Sequence, residues 1–464
     1  MNVFLVQAAA YSPTTERSMP LGIMYLASFL RERSACRVGL FDMQLGARTT
    51  APAVAAARAF GPDLIGIGGM TPDARVMDSL ARDFKAAFPT VPIVAGGVHA
   101  TNASAEVMKN DSIDFLIAGE GEIGCAALVE HLEGKRREEQ VPGLFYRRDG
   151  NLISNEPAPF VDDLDSLPRP AYDLIDLDAY FRIPRCGVIY SNYRYAAVVS
   201  SRGCPYRCAY CHKILGSKWR PRSAESAVDE MEWLARDYWI GDFVIMDDLF
   251  NLDPDRINRM ARLILDRRLK VKLSFPIWLR GDIMTEESVR LLARAGMFRC
   301  MYAVETASDR LQKMIHKNND LEKIKRIIEY TRAQGVMVHG SFMLGFPTET
   351  EAEARATVEW ALRSRLHTAA FYRVIPFQGT DLCRMANEYG VKIPENPEGF
   401  EFHRANVVNV SAMPDLTINR LKREAYRRFY FSFARLWCIF QVLPNKWRTI
   451  PALFAIWIRK AFLW

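Results

Sequence analysis

Short apolar runs alternating with helical stretches narrow what this chain can fold into more than any other feature. They come in two series. In residues 1 to 140 the runs are VFLVQA, VGLFDM, LIGIGG, PIVAGG and DFLIAGE, with helical stretches between them and after the last. Strands separated by helices need a crossover after each strand, so this series predicts a parallel, doubly wound (Rossmann-like) α/β sheet. The second series, within residues 191–385, reads AAVVSS, DFVIMDD, KLSFPIW, CMYAVET, VMVHGSFMLGF and AFYRVIPF. Six such strands predict a partial (β/α)6 barrel with its site at the strand carboxyl ends.

Between the two series, residues 141–190 lose this period and gain Pro157, Pro159, Pro168, Pro170 and Pro184 beside the acidic phrase VDDLDSLPRP. Proline removes backbone donors and fixes φ, so this stretch is expected to be an extended linker. Residues 386–464 are expected to form a helical extension. Residues 415–464 hold ten Lys and Arg against two Asp and Glu, a surplus larger than the +7 of the whole chain. The remainder is thus near neutral, which disfavours a nucleic-acid binder and marks a basic appendage. In WRTIPALFAIWIRKAFLW, residues Ile450, Leu453, Phe454, Trp457 and Ala461 recur at helical spacing. Such a helix can lie in a membrane interface or pack on the barrel.

The start, MNVFLVQAAAYSP, has no basic opening and no long apolar core, so it reads as a first strand and not as a secretory signal. No run of about 18 uncharged apolar residues occurs. The expectation is a cytoplasmic protein, with peripheral contact at the inner face of the membrane if the last helix is interfacial.

Of nine cysteines, three crowd into one phrase, VVSSRGCPYRCAYCHK, as Cys204-x-x-x-Cys208-x-x-Cys211. In a reducing compartment this crowding indicates a metal site and not a disulfide framework. Three thiolates on one loop can hold three irons of a four-iron cluster and leave the fourth iron open. Zinc would want a fourth ligand, and His212 adjoins Cys211 too closely for easy tetrahedral geometry. Cys208-x-x-Cys211-His212 also matches a haem-attachment motif, but that chemistry needs export.

The strand ends of the first series are rich in glycine: Gly66, Gly68, Gly69, Gly96, Gly97, Gly119 and Gly121. Either they serve tight turns or they let a cofactor approach the backbone. Gly-x-Gly-x-x-Gly does not follow the first strand, which disfavours a nicotinamide cofactor.

The order of these features resembles the radical S-adenosylmethionine (SAM) enzymes that carry a cobalamin-binding domain, a group including class B methyltransferases and anaerobic magnesium-protoporphyrin cyclases. The resemblance implies that Cys204, Cys208 and Cys211 ligate a [4Fe–4S] cluster whose open iron takes SAM. It places Tyr210 by the adenine, Asp247 and Asp248 at the methionine ammonium, and Arg280 at its carboxylate or a substrate anion. Glu305 and Ser308 match the ribose end, Gly345 of LGFPTET the adenine side, and Gln378 replaces the second proline of a Pro-x-Pro-Gly-Thr phrase. In the cobalamin domain Asp42, Gln44 and Gly46 occupy the loop that carries a cobalt-ligating histidine in relatives. Gln44 stands in the histidine's place, and an amide is a far weaker ligand. Met70, Thr71, Gly96, Gly97 and Glu120 would line the corrin and its tail; His99 is either a neighbour of it or an ordinary loop histidine. Tyr302 and Tyr372 are candidate substrate-facing residues, each with a core position as the alternative.

The reaction implied is generation of a 5′-deoxyadenosyl radical and methylation of an unactivated carbon, on a small-molecule or lipid-like substrate, with an external electron donor of flavodoxin or ferredoxin type. Cyclisation or rearrangement without methyl transfer is the alternative; a non-catalytic cobalamin and Fe–S sensor is a third.

Overall fold

The computed structural model describes residues 1–10, 17–183, 189, 191–391, 393, 408–446 and 449–451. The chain divides into two compact units, one of Met1–Arg185 with Lys213–Gly216, the other of Cys186–His212 with Ser217–Trp464.

In the first unit five strands run parallel: β1 (Asn2–Gln7), β2 (Arg37–Asp42), β3 (Leu64–Gly68), β4 (Ile93–Gly96) and β5 (Phe115–Ile117). Their spatial order is β2-β1-β3-β4-β5, so the winding reverses at β1, and loops at the carboxyl ends open there into a crevice. The strands are buried on both faces, which is why they read as continuous apolar runs. One face packs Phe4, Val6, Ile65 and Ile67 on helices Ala51–Phe60 and Ala74–Ala87 through Ala53, Ala57, Leu80 and Phe84. The opposite face packs Val3, Leu5 and Val38 on helices Leu21–Ser34 and Gly121–Leu132 through Ala27, Leu30 and Leu128.

The stretch expected to be a linker departs from that reading. Leu144–Arg148 (β6) and Asn151–Ser154 (β7) add two antiparallel strands to the sheet beyond β5. Farther on, Ala171 N–H donates to Met24 O at 3.1 Å, and Tyr172 and Tyr180 are fully buried in the first unit. The prolines interrupt helices, as expected, but the apolar residues among them have a core to enter.

The second unit holds six parallel strands lying side by side in chain order. They are β8 (Tyr195–Val198), β11 (Asp242–Ile245), β12 (Lys272–Leu279), β13 (Met297–Glu305), β14 (Met337–Leu344) and β15 (Thr368–Arg373). A two-residue pair, β9 (Ser201–Arg202) with β10 (Arg220–Pro221), follows β8. Every strand-to-helix turn from β10 to β14 ends in a side-chain N-cap: Ser223, Asp253, Thr285, Ser308 and Asp320, and Thr350. Each cap satisfies orphan N–H groups of the first turn and sets where the helix starts. The sheet does not close between β8 and β15.

The extension from residue 386 belongs to this second unit. Helix Asp415–Tyr430 covers the β15 edge: Tyr426 Oη accepts from Phe371 N–H (3.1 Å), and Tyr430 Oη bonds Ala369 N–H and O (3.0 and 2.8 Å). Tyrosine hydroxyls thus occupy the ladder groups an open edge would leave unpaired. The next helix, Phe433–Val442, exposes Phe433, Leu436, Trp437 and Phe440. Among the described residues no helix is long and apolar enough to cross a membrane. The membrane-interface reading rests on Leu453, Phe454, Trp457 and Ala461, which lie outside the described residues.

Gly296 connects helix Glu286–Arg294 to β13 with φ of +113°, and a Cβ there would stand 2.2 Å from Val271 O, a backbone atom that cannot step aside. Gly296→Ala is therefore expected to destabilise the second unit by more than about 1 kcal/mol, read as a lower denaturant midpoint of the full chain.

Candidate active site

The cysteine loop leaves β8 and is clamped before its first cysteine. Ser200 and Ser201 sit beneath it, and Asp247, at the end of β11, accepts from Ser200 N–H (2.6 Å), Ser200 Oγ and Ser201 Oγ (2.7 Å each). With both oxygens engaged and 4% of its surface exposed, Asp247 is an anchor of the loop. That corrects its expected place at the methionine ammonium. Asp248 accepts from Gly203 N–H at 3.1 Å, next to Cys204. On the far side of the loop, Ala209 N–H donates to Ile315 O at 2.9 Å.

Within the loop, Cys208 is buried, Cys204 half-buried and Cys211 exposed. The Cys211 thiol hydrogen-bonds to Cys208, which brings Cys208 down to about 6 against the opposing effect of burial; Lys317 and Arg280 act in the same direction. The shared hydrogen bond thus favours one thiolate in the Cys208–Cys211 pair, and thiolate is the form that binds iron. Burial pushes the Cys204 thiol up. Among the described residues no three His, Cys, Asp or Glu side chains are grouped closely enough to hold one metal ion. In a four-iron cluster each cysteine binds a different iron, so wider spacing is what that donor set requires.

Around the cysteines stand the strand ends. Glu305, at the end of β13, is 3% exposed and has φ of +67°, a conformation rare outside glycine. Its carboxylate accepts from Tyr210 Oη and Ser341 Oγ, each at 3.3 Å. Burial raises it to about 7, and nearby Lys317 opposes that rise. Burial also raises Tyr210, with Glu305 adding to it. Arg280 ends β12 with its guanidinium on Asp282 (2.6 and 3.0 Å) and 3.9 Å from the Tyr206 ring centroid. Its Nη1 is buried with no hydrogen-bond partner. Tyr210 and Tyr206 of the cysteine loop thus meet Glu305 and Arg280, respectively.

Other candidates are placed differently. Ser308 is a helix cap that accepts from Leu311 N–H and donates to Glu353 Oε1 at 2.7 Å. Gly345, with φ of +98°, lies in a loop held by Glu349, which accepts from Gly345 and Phe346 N–H groups and is raised to about 7 by burial. Gln378 and Tyr372 are half-buried at the end of β15. Tyr302 is fully buried, and its hydroxyl pairs with Thr331 Oγ1 (2.9 Å) on the outer helix Leu321–Ala333. It is a core residue, which removes it from the substrate-facing candidates.

Lys317 was not found from the sequence. It lies in the phrase IHKNN, which carries no motif, and only the fold brings it to the cysteines. Tyr206 and Ser341 were also missed: Tyr206 sits inside the cysteine phrase, but only the fold brings Arg280 to its ring, and Ser341 lies within an apolar strand run.

In the first unit the carboxyl ends of β3 and β4 approach closely. Gly97 has φ of +84°, and a Cβ there would be 3.3 Å from Gly69 N. Beside it, Met70 is 51% exposed and Thr71 opens a turn held by Asp73, which accepts from Ala10 and Met70 N–H groups. Gly119 and Gly46 have open space where a side chain would be. An apolar side chain on an open glycine rim suits a large flat cofactor. Beneath it, Gln44 Nε2 donates to Asp42 Oδ2 and Ser18 O, both at 3.1 Å, so its amide is tied down. Tyr180 also donates to Asp42. Glu120 accepts from Val161 N–H at 3.0 Å and thereby holds the following strap. His99 is buried, its N–H on Gly69 O (3.2 Å) and its Nδ1 without a partner. The residues fit a cobalamin held without a histidine under the metal.

Two family models match the chain: the radical SAM superfamily over residues 198–361 and the B12 binding domain over residues 14–129. The chain belongs to the cobalamin-binding radical SAM enzymes. Its domains imply a [4Fe–4S] cluster, SAM and cobalamin. An uncharacterised methyltransferase of Pyrococcus horikoshii is 28% identical over 89% of this chain and 87% of its own. Cytidylyl-2-hydroxyethylphosphonate methyltransferase of Streptomyces wedmorensis is 27% identical over 77% and 72%. The anaerobic magnesium-protoporphyrin IX monomethyl ester cyclase of Rubrivivax gelatinosus is 25% identical over 90% and 74%. Among solved structures, the cobalamin-dependent radical SAM enzyme OxsB superposes with a TM-score of 0.76, at 17% identity, over all of this chain and 72% of its own. That likeness concerns the fold.

Burial raises Asp42 to about 7, against its hydrogen bonds from Gln44. The folded state then holds a proton that the unfolded chain releases near pH 4, so stability falls as pH rises from about 4 to 7 and is level outside that window. Asp42→Asn is expected to flatten this part of the profile, with the cost removed at pH 7 reaching a few kcal/mol. Melting temperatures of the full chain between pH 4 and 8 measure it.

Proposed function

We propose that this enzyme methylates an unactivated carbon of a small-molecule or lipid-like substrate. The observation that carries the reading is the presence, on one chain, of a cysteine loop walled by Glu305, Arg280 and Lys317 and a glycine-rimmed sheet whose Gln44 replaces a histidine. Bound together, the cluster and SAM supply a 5′-deoxyadenosyl radical, and cobalamin carries a methyl group.

The chain's own residues bind and orient. Cys204, Cys208 and Cys211 would hold the cluster. Tyr210 would lie by the adenine of SAM and Glu305 would take its ribose hydroxyls. Nη1 of Arg280, which has no hydrogen-bond partner, would take its carboxylate or a substrate anion, while Asp282 keeps the guanidinium plane fixed. Tyr210 packs against an apolar cluster that includes Phe346 and Val374, its ring centroid 6.3 Å from that of Phe346. In the first unit Met70, Thr71, Gly96 and Gly97 would lie against the corrin. A low-potential donor of flavodoxin or ferredoxin type would supply electrons.

The cyclase of Rubrivivax gelatinosus favours a second reading, oxidative ring formation without methyl transfer, because its similarity runs over 90% of this chain. Product ratios separate the two. The full chain, reconstituted anaerobically with iron, sulfide and cobalamin, is given SAM, a reductant and a small-molecule or lipid extract. Extract-dependent rise of both 5′-deoxyadenosine and S-adenosylhomocysteine is expected; 5′-deoxyadenosine alone supports the cyclase reading, and neither product refutes both.

Cys208→Ala is expected to abolish SAM cleavage while the cobalamin absorbance stays that of the parent. Retained cleavage would remove the cluster from this loop.

A further inference from the structure

A β-bulge interrupts β12 just before Arg280. Strands β12 and β13 pair at Phe275 with Cys300 and again at Leu279 with Tyr302, so Pro276, Ile277 and Trp278 stand against the single residue Met301. Proline has no N–H for a ladder and is confined, inside sheets, to edges, strand starts and bulges. β12 has β11 on one side and β13 on the other, so the buried Pro276 belongs to the bulge. Bulges gather at barrel rims and beside active sites, where they re-aim a side chain.

The side chain aimed here is Trp278. Leu279, next to it, is buried and pairs with Tyr302, whose hydroxyl reaches Thr331 on the outer helix Leu321–Ala333. Leu279 therefore faces outward with Tyr302, and the alternation of a strand turns Trp278 and Arg280 to the inside of the barrel. The guanidinium of Arg280 lies on that side, over the Tyr206 ring of the cysteine loop. Trp278 is 42% exposed, whereas Met301 and Arg280 beside it are buried. The strands of this sheet are otherwise buried, so the interior has room beside one large flat side chain.

The rest of that wall is suited to the same kind of contact. Phe342 packs outward on Trp360 of helix Glu351–Arg363, while Ser341 reaches Glu305. Met343 therefore faces inward with Ser341, and Tyr372, its partner in the register, shares its face. From β12 to β15 the inner wall thus carries an indole, two thioethers and a phenol on the same side as Arg280 and Glu305.

We propose that Trp278 is a specificity-determining residue whose indole face receives a flat, apolar part of the substrate inside the barrel. Aromatic faces attract planar groups beyond the area they bury, and thioethers pack well against rings. The inference rests on the function proposed above and deepens it: the substrate is a molecule with a ring-containing apolar face.

The test compares the parent with Trp278→Ala, Trp278→Leu and Trp278→Phe, each a full chain reconstituted with iron, sulfide and cobalamin. Iron content, cobalamin absorbance and the 5′-deoxyadenosine formed without extract are measured first. The extract is then partitioned between butanol and water, and S-adenosylhomocysteine formation is followed against the amount of each phase. The butanol phase is expected to support the reaction. The amount that half-saturates it is expected to rise about tenfold in Trp278→Ala and Trp278→Leu, with maximal rate and extract-free cleavage near the parent's, and to stay within about threefold in Trp278→Phe. If Trp278→Ala loses its cofactors, the contrast between the Leu and Phe variants decides. Equal half-saturation in the Leu and Phe variants overturns the proposal. So does loss of iron, cobalamin absorbance or extract-free cleavage from all three variants, which would make Trp278 a packing or cofactor-contacting residue. A parent that responds only to the aqueous phase overturns the substrate class, and one that responds to neither phase refutes the underlying methylation reading instead.

Discussion

Three cysteines on a loop can serve one site only if the loop has one conformation, and the carboxylate of Asp247 largely sets it. A buried carboxylate is costly unless several donors satisfy it. Here those donors are a backbone N–H and two hydroxyls of Ser200 and Ser201, so the strand end and the start of the loop are tied to β11. Buried Arg256 reinforces the tie by donating to Ser200 O at 2.7 Å, and Arg222, paired with Glu230, donates to Val199 O. Asp248 then takes Gly203 N–H. Each contact lies within a few residues of Cys204.

Strain and charge are concentrated across from that loop. Glu305, His316 and Asn318 depart from ordinary backbone geometry within one short stretch of chain. Gln312 compensates by spending both ends of its amide on the main chain around them. The result is a carboxylate, a hydroxyl and two cations in fixed positions before any ligand arrives, which is the condition for electrostatic stabilisation without later reorganisation. In the first unit the same economy appears in reverse: Asp42, Gln44 and Tyr180 satisfy one another, and the amide that replaces histidine is held by protein groups.

Much of this was legible in the chain. Alternating strands and helices announced both sheets because strands buried on both faces cannot avoid being continuously apolar. The cysteine spacing and Gln44 could be read directly, since residues on one loop are neighbours in sequence. The stretch 141–190 misled because proline reports the loss of helix but not the presence of a core: Ala171 and Tyr180 are tied to Met24 and Asp42, each more than a hundred residues away.

By itself the sequence determined the two parallel sheets, the order of the units, the cysteine triad and the glutamine at position 44, because each is a matter of local period or adjacent residues. Only the tertiary structure decided that Asp247 anchors the loop, that Tyr302 turns to Thr331, and that the turn before Lys317 meets the cysteine loop through Ile315 O and Ala209 N–H. Those outcomes depend on which way a side chain faces from its strand and on contacts between distant segments. A strand's alternation names two faces, and only packing says which of them is the inside of the barrel.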